Sequence, residues 1–139
     1  MKTRKSTRAF LKKDVSREQI TRILKAAGHA PSGTNAQPWE VAVVTGTTRK
    51  DLTTALVDAF EKDGLGEMDY NYYPAKWKEP FKKRRVTCGA ALYSALKIER
   101  RDKVKRLEQW VANYRGFDAP VLFFFFLDSN DVRVFSVLP

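Results

Sequence analysis

Residues 30–46 read APSGTNAQPWEVAVVTG, an order of residue types that dictates a polar loop followed by a strand. Pro31-Ser32-Gly33-Thr34-Asn35 is a run of turn formers. Gly33 is expected to supply a positive φ, and the Ser, Thr and Asn side chains can bond neighbouring backbone. Pro38 is expected to hold Gln37 in an extended conformation. Trp39–Thr45 then forms a strand, with Val41, Val43 and Val44 as its apolar surface. A polar loop held between two packed elements is a good place for a ligand, because a rigid frame presents its amides and hydroxyls.

On the N-terminal side of this stretch, Ser16 and Gln19 make a capping box, with Val15 placed to staple against Ile20. Ile20, Ile23, Leu24 and Ala27 follow the spacing of a single buried helix face, and Gly28 is expected to stop the helix. Residues 1–13 carry six basic side chains (Lys2, Arg4, Lys5, Arg8, Lys12, Lys13) and no acidic one. They read as irregular or short extended structure.

On the C-terminal side, Gly46 and Thr47 are expected to turn the chain. Thr48 then caps a second helix with Asp51 in its first turn. Leu52, Ala55, Leu56, Ala59 and Phe60 form its apolar stripe, and it ends at Asp63-Gly64. Tyr70, Tyr72, Tyr73 and Trp77 cluster beside Pro74 and Pro80. Two readings stand side by side for this segment: aromatic packing over a core edge, or a lid over a planar substrate. Pro80 suits the first turn of a third helix, which runs to about Lys97 or Glu99 and buries Val86, Ala90, Tyr93 and Leu96 or their neighbours. Asp102 caps a fourth, with Val104, Leu107, Val111 and Tyr114 facing one way. Residues 115–120 turn, and the unbroken apolar run of Val121–Leu127 reads as a central strand covered on both faces.

A length of 139 residues, 43% of them hydrophobic, fits one domain over residues 1–139 with a real core. Lys and Arg number 26 against 16 Asp and Glu, a net charge of +10 that favours anionic partners such as nucleic acid, anionic lipid or phosphorylated cofactors. Cys88 is the sole cysteine and His29 the sole histidine, which excludes an internal disulfide and argues against a Cys/His zinc site. The start MKTRKSTRAF lacks the apolar core of an export signal, and APVLFFFFL at 119–127 is far short of the ~20 residues a spanning helix needs. A cytoplasmic protein without a membrane partner is expected.

Two motifs give this pattern a family. The 31–39 segment resembles the P-S-G-x-N-x-Q-P-W loop of the nitroreductase family, and Arg4-Lys5-Ser6-Thr7-Arg8-Ala9-Phe10 resembles its N-terminal R-[RH]-S-x-R-x-F. The resemblance covers most of residues 4–128. Residues 70–85 and 114–128 are similar to the branch acting on nitroaromatic acids. It implies an α+β fold of three layers, with a mainly antiparallel central sheet flanked by helices. It also implies further structure after Asp128 and a helix before the Arg/Ser motif. The chain is therefore expected to be a domain shortened at both ends, its C-terminal part missing, with exposed apolar surface that favours self-association.

By the same resemblance, Arg4, Lys5, Ser6 and Arg8 contact the phosphate, ribityl chain and pyrimidine side of FMN. Arg is suited to grip phosphate in a bidentate fashion, and Lys acts as a point charge. Pro31, Ser32, Gly33 and Asn35 lie along the isoalloxazine, the loop coming from the other subunit of a homodimer with FMN at the interface. Gln37 is assigned to loop backbone, Trp39 to the core and Cys88 to helix packing. The implied activity transfers two electrons from NAD(P)H through FMN to a nitroaromatic, quinone or similar acceptor. The flavin carries the redox chemistry, so neither His29 nor any other side chain is nominated as a catalytic acid or base. Two rivals are a folded but inactive flavin-binding relative or fragment and a basic nucleic-acid-binding module. The latter is disfavoured because Lys82–Arg85 and Lys97–Arg106 lack a nucleic-acid motif. Lys82–Arg85 is also placed to attract an acidic substrate or the phosphates of NAD(P)H.

Overall fold

The computed structural model describes residues 3–64, 66–67 and 71–127. Lys2, Tyr70 and everything from Asp128 onward, all part of the expectations above, lie outside the described residues. The chain divides into two compact units, Met1–Thr53 with Gly116–Pro139, and Thr54–Arg115.

In the first unit, helix α1 spans Arg17–Ala27 and begins with the expected capping box. Ser16 Oγ accepts from Gln19 N at 3.2 Å, and Gln19 Oε1 accepts from Ser16 N at 2.9 Å. Two otherwise orphaned amides are thereby satisfied. Ile20, Leu24 and Ala27 are half-buried, but Ile23 is exposed, so the buried face is narrower than the spacing implied. Gly28 ends the helix in a right-handed conformation (φ −61°), so the stop does not use the freedom that only glycine has.

Strand β1 covers Trp39–Thr45 and strand β2 covers Val121–Leu127, both as expected. They pair antiparallel, with Trp39 opposite Leu127 and Thr45 opposite Val121. Among the described residues these two strands form the sheet, and four helices complete an α+β architecture. Val43, Val44 and Val121–Phe124 are half-buried, whereas Phe125, Phe126 and Leu127 are exposed. Coverage of both faces therefore holds for one half of β2 and not for the other.

Helix α2, Gly46–Asp63, starts directly at the end of β1. Gly46 makes the joint at φ +56°, where a side chain would be strained, so no separate turn is needed and Thr48 lies within the helix instead of capping it. The helix ends where expected, with Gly64 at φ +66° and its N–H donating to Phe60 O at 2.8 Å. Its covered face runs through Arg49, Leu52, Thr53, Leu56, Val57 and Phe60, while Ala55 and Ala59 are exposed. Thr53 can join this face because its hydroxyl donates back to Arg49 O and Lys50 O, at 2.9 and 3.0 Å.

In the second unit, Pro80 caps helix α3, Phe81–Ala95, from outside its first turn, and the helix stops short of Lys97. Gly89, Leu92 and Tyr93 are its covered positions; Val86, Ala90, Leu96 and Cys88 are exposed, so Cys88 is not a packing residue. Asp102 caps helix α4, Lys103–Tyr114, accepting from Lys105 N at 2.9 Å. Val111 and Tyr114 are half-buried, but Val104 and Leu107 are exposed. Tyr114 stacks on Phe60 with centroids 4.4 Å apart. That stack accounts for the coverage of these two rings, and a pairing between helices cannot be read from either helix alone.

Candidate functional site

The turn of residues 31–37 is rigid for reasons visible atom by atom. Gln37 Nε2 donates to Gly28 O at 2.8 Å, tying the loop back to the end of α1. Ser32 Oγ accepts from Gln37 N at 3.0 Å, and Ser32 O accepts from Asn35 N at 3.0 Å. Gly33–Asn35 forms one 3₁₀ turn. The positive φ values fall on Thr34 (49°), Asn35 (57°) and Gln37 (47°), and Gly33 has none. Gln37 before Pro38 is therefore not extended. The two hydrogen bonds that Gln37 makes hold it in a conformation its proline neighbour disfavours.

Ser32 is half-buried, and Pro31, Gly33 and Asn35 are exposed. Ser32 Oγ is engaged with the loop's own backbone, while the Asn35 side chain makes no hydrogen bond among the described residues. The assignment of Gln37 to loop backbone is met by its bonds, and Trp39 is half-buried at the start of β1. Replacing Gln37 with alanine leaves Gly28 O without this donor. The expected loss is about 1 kcal/mol of stability, the net scale of one such bond, read from urea unfolding. An unchanged midpoint would show that the tether contributes nothing.

Arg4, Lys5, Ser6 and Arg8 are all exposed. Arg4 Nη1 donates to Ser6 Oγ at 3.4 Å, and the Arg8 guanidinium lies over the Phe117 ring at 5.9 Å. Among the described residues, no carboxylate pairs with Arg4, Lys5 or Arg8. Three cations and a hydroxyl within five residues thus keep their charge and hydrogen-bonding capacity for an anion. Among the described residues, no hydrogen bond joins this segment to residues 31–35, so each set is built by its own surroundings. Both belong to the same compact unit.

The aromatic segment of the second unit is neither simple packing nor a demonstrated lid. Tyr72 and Tyr73 are exposed, and Arg85 lies over both Tyr73 (5.7 Å) and Trp77 (5.2 Å). Arg84 lies over Phe81 at 5.8 Å. The basic run at the start of α3 therefore organises the rings before it. Sequence reading placed the two side by side but missed the stacking, because helical phase decides which cation reaches which ring. No cluster of three His, Cys, Asp or Glu among the described residues could hold a metal ion.

A family model described as "Nitroreductase family" matches residues 1–136. The chain is 38% identical over 132 residues to a nitrobenzene nitroreductase of Ectopseudomonas oleovorans, covering 94% of this chain and 58% of that protein. It is 36% identical over 121 residues to a 4-nitrobenzoate reductase of Nocardioides sp. (strain LMS-CY), covering 85% of this chain and 49% of that protein. The crystal structure of the FMN-dependent nitroreductase NfnB from Mycobacterium smegmatis in complex with NADPH superimposes with a TM-score of 0.78. That match has 34% identity and covers 89% of this chain and 55% of the other. The chain spans roughly half the length of the relatives it matches.

Proposed function

This chain belongs to the nitroreductase family, and we propose that it serves an FMN-dependent oxidoreductase passing two electrons from NAD(P)H to a nitroaromatic, quinone or similar acceptor. The observation that carries this reading is the donor set of the N-terminal motif. Arg4, Lys5 and Arg8 stand exposed and, among the described residues, without carboxylate partners, which leaves their charge for a phosphate dianion. Ser6 adds a hydroxyl beside Arg4.

In this reading Arg8 and Arg4 hold the FMN phosphate, with Lys5 as a further positive charge. The turn of Pro31, Ser32, Gly33 and Asn35 lies along the flavin ring, and the Asn35 amide bonds its polar edge. The tether from Gln37 to Gly28 fixes that turn to the end of α1. FMN, when bound, supplies the redox chemistry, taking a hydride equivalent from NAD(P)H and delivering it to the acceptor. The residues of the chain bind and orient, and none is assigned a proton transfer.

A homodimer with FMN at the subunit interface belongs to the same proposal. Exposed Val104, Leu107 and Trp110, aligned on α4, support an apolar contact surface. A cytoplasmic location is part of the same proposal. No helix among the described residues is long and apolar enough to cross a membrane.

Mass spectrometry of the supernatant from denatured protein tests the cofactor. FMN is the expected species, and NADPH oxidation on addition of 4-nitrobenzoate is the expected activity. FAD, or no flavin in a well-folded sample, would count against the proposal.

A further inference from the structure

We propose that Phe117 is a positioning residue for Arg8: its ring, carried on a strained turn, holds the Arg8 guanidinium ready to grip the FMN phosphate. Phe117 lies outside both sequence motifs, and its role stands on the FMN binding proposed above. Arg8 and Phe117 belong to the same compact unit.

The N-terminal segment by itself gives Arg8 no fixed direction. Residues 4–11 lie in neither helix nor strand. Among the described residues, Arg8 makes no hydrogen bond and no ion pair. An exposed arginine in that state gives up rotamer freedom when it grips an anion, and the loss subtracts from affinity. A contact that fixes the guanidinium beforehand removes part of that loss. Phe117 supplies one, with the guanidinium carbon of Arg8 5.9 Å from the ring centroid, within the range of a cation–π attraction. The attraction engages the charge and consumes none of the N–H donors. The fork therefore stays available for two phosphate oxygens.

The turn that carries the ring is strained and well anchored. Gly116, Phe117 and Asp118 are consecutive left-handed residues, with φ of +60°, +53° and +55°. Glycine takes this conformation freely, but a bulky residue such as phenylalanine does so at a cost. Such strain persists only where the surroundings over-determine it, and it gathers at ligand sites. The surroundings here are plain. Gly116 lies so close to β2 that an added Cβ would stand 2.6 Å from Leu122 Cδ2. Ala119 N donates to Gly116 O at 3.1 Å, and Ala119 is only 7% exposed. Phe117 is itself half-buried. A turn fixed to the sheet thus steadies an arginine on a segment without regular structure.

Flavin fluorescence titration of the full chain with FMN tests the assignment. Phe117→Leu keeps an apolar side chain and removes the ring, and FMN affinity should fall about fivefold, the scale of one cation–π contact. Phe117→Tyr keeps the ring face and should bind within about twofold of the parent. Pentafluorophenylalanine at the same position keeps the ring's shape and reverses its quadrupole, so it should weaken binding as leucine does, even where leucine disturbs the fold. In the Arg8→Ala background, Phe117→Leu should cost no further affinity, because the residue it steadies is gone. A loss that tyrosine does not rescue, or that persists undiminished in Arg8→Ala, would make Phe117 a general packing residue and overturn the proposal. FMN binding by the parent that neither leucine nor the fluorinated ring weakens would overturn it while leaving the FMN reading intact. Failure of the well-folded parent to bind FMN would overturn the FMN reading, and the role of Phe117 with it.

Discussion

Replacing Arg8 with alanine is expected to weaken FMN binding by about 1.5–3 kcal/mol, the scale of a hydrogen bond to a charged group. Arg8 is exposed, has no carboxylate partner among the described residues and is oriented by its contact with the Phe117 ring at 5.9 Å. That contact contributes only about 0.5–1 kcal/mol at an exposed site, so the variant should stay folded and the loss should appear in ligand affinity. Lysine at the same position should recover part of the affinity, because it keeps the charge and loses the fork of donors. Arg101→Ala, an exposed arginine between α3 and α4, is the control and should change little. Flavin fluorescence titration measures all three. Equal losses at Arg8 and Arg101 would sink the assignment of the N-terminal motif.

Gly116→Ala should be the most destabilising of the conservative glycine changes. Gly116 has φ +60°, and a Cβ there would stand 2.6 Å from Leu122 Cδ2. The left-handed conformation costs a side-chain-bearing residue about 1–2 kcal/mol. Moving Leu122 off its rotamer adds about 1 kcal/mol, since it is half-buried in β2 and its near end is only 3.5 Å away. The total expected loss is about 2–3 kcal/mol. Gly46→Ala is the matched comparison: its φ is +56°, but nothing lies within 4 Å of the added Cβ. It should lose only the conformational part, about 1–2 kcal/mol. Urea unfolding of the pair separates the two terms; equal midpoints would show that Leu122 yields freely and that the crowding is inconsequential.

The turn that Gly116 opens also matters to the site, because Phe117 follows at φ +53° and carries the ring under Arg8. A variant that disturbs the turn should therefore weaken FMN binding as well as stability. Gly46→Ala, at the same end of the β1–β2 pairing but following β1, should affect the β1–α2 junction instead.

The sequence by itself determined those features whose causes lie within a few residues. The capping box of Ser16 and Gln19, the cap by Asp102 and the glycine stop at Gly64 are short-range hydrogen-bonding arrangements, and each appears where residue type placed it. Both strands have the expected ends, because β-branched and aromatic runs between turn formers leave little alternative. The paired motifs at residues 4–10 and 31–39 likewise declared the family.

Only the tertiary structure decided which surfaces are covered. Thr53 and Val57 displaced Ala55 and Ala59 on α2, because covering a helix face depends on what packs against it and not on the helix's own periodicity. The positive φ in the loop moved from Gly33 to Thr34, Asn35 and Gln37 because hydrogen bonds to Ser32 and Gly28 outweighed local preference. The contact of Arg8 with Phe117 was illegible for the same reason. The two residues lie near opposite ends of the chain, and only folding brings the guanidinium over the ring.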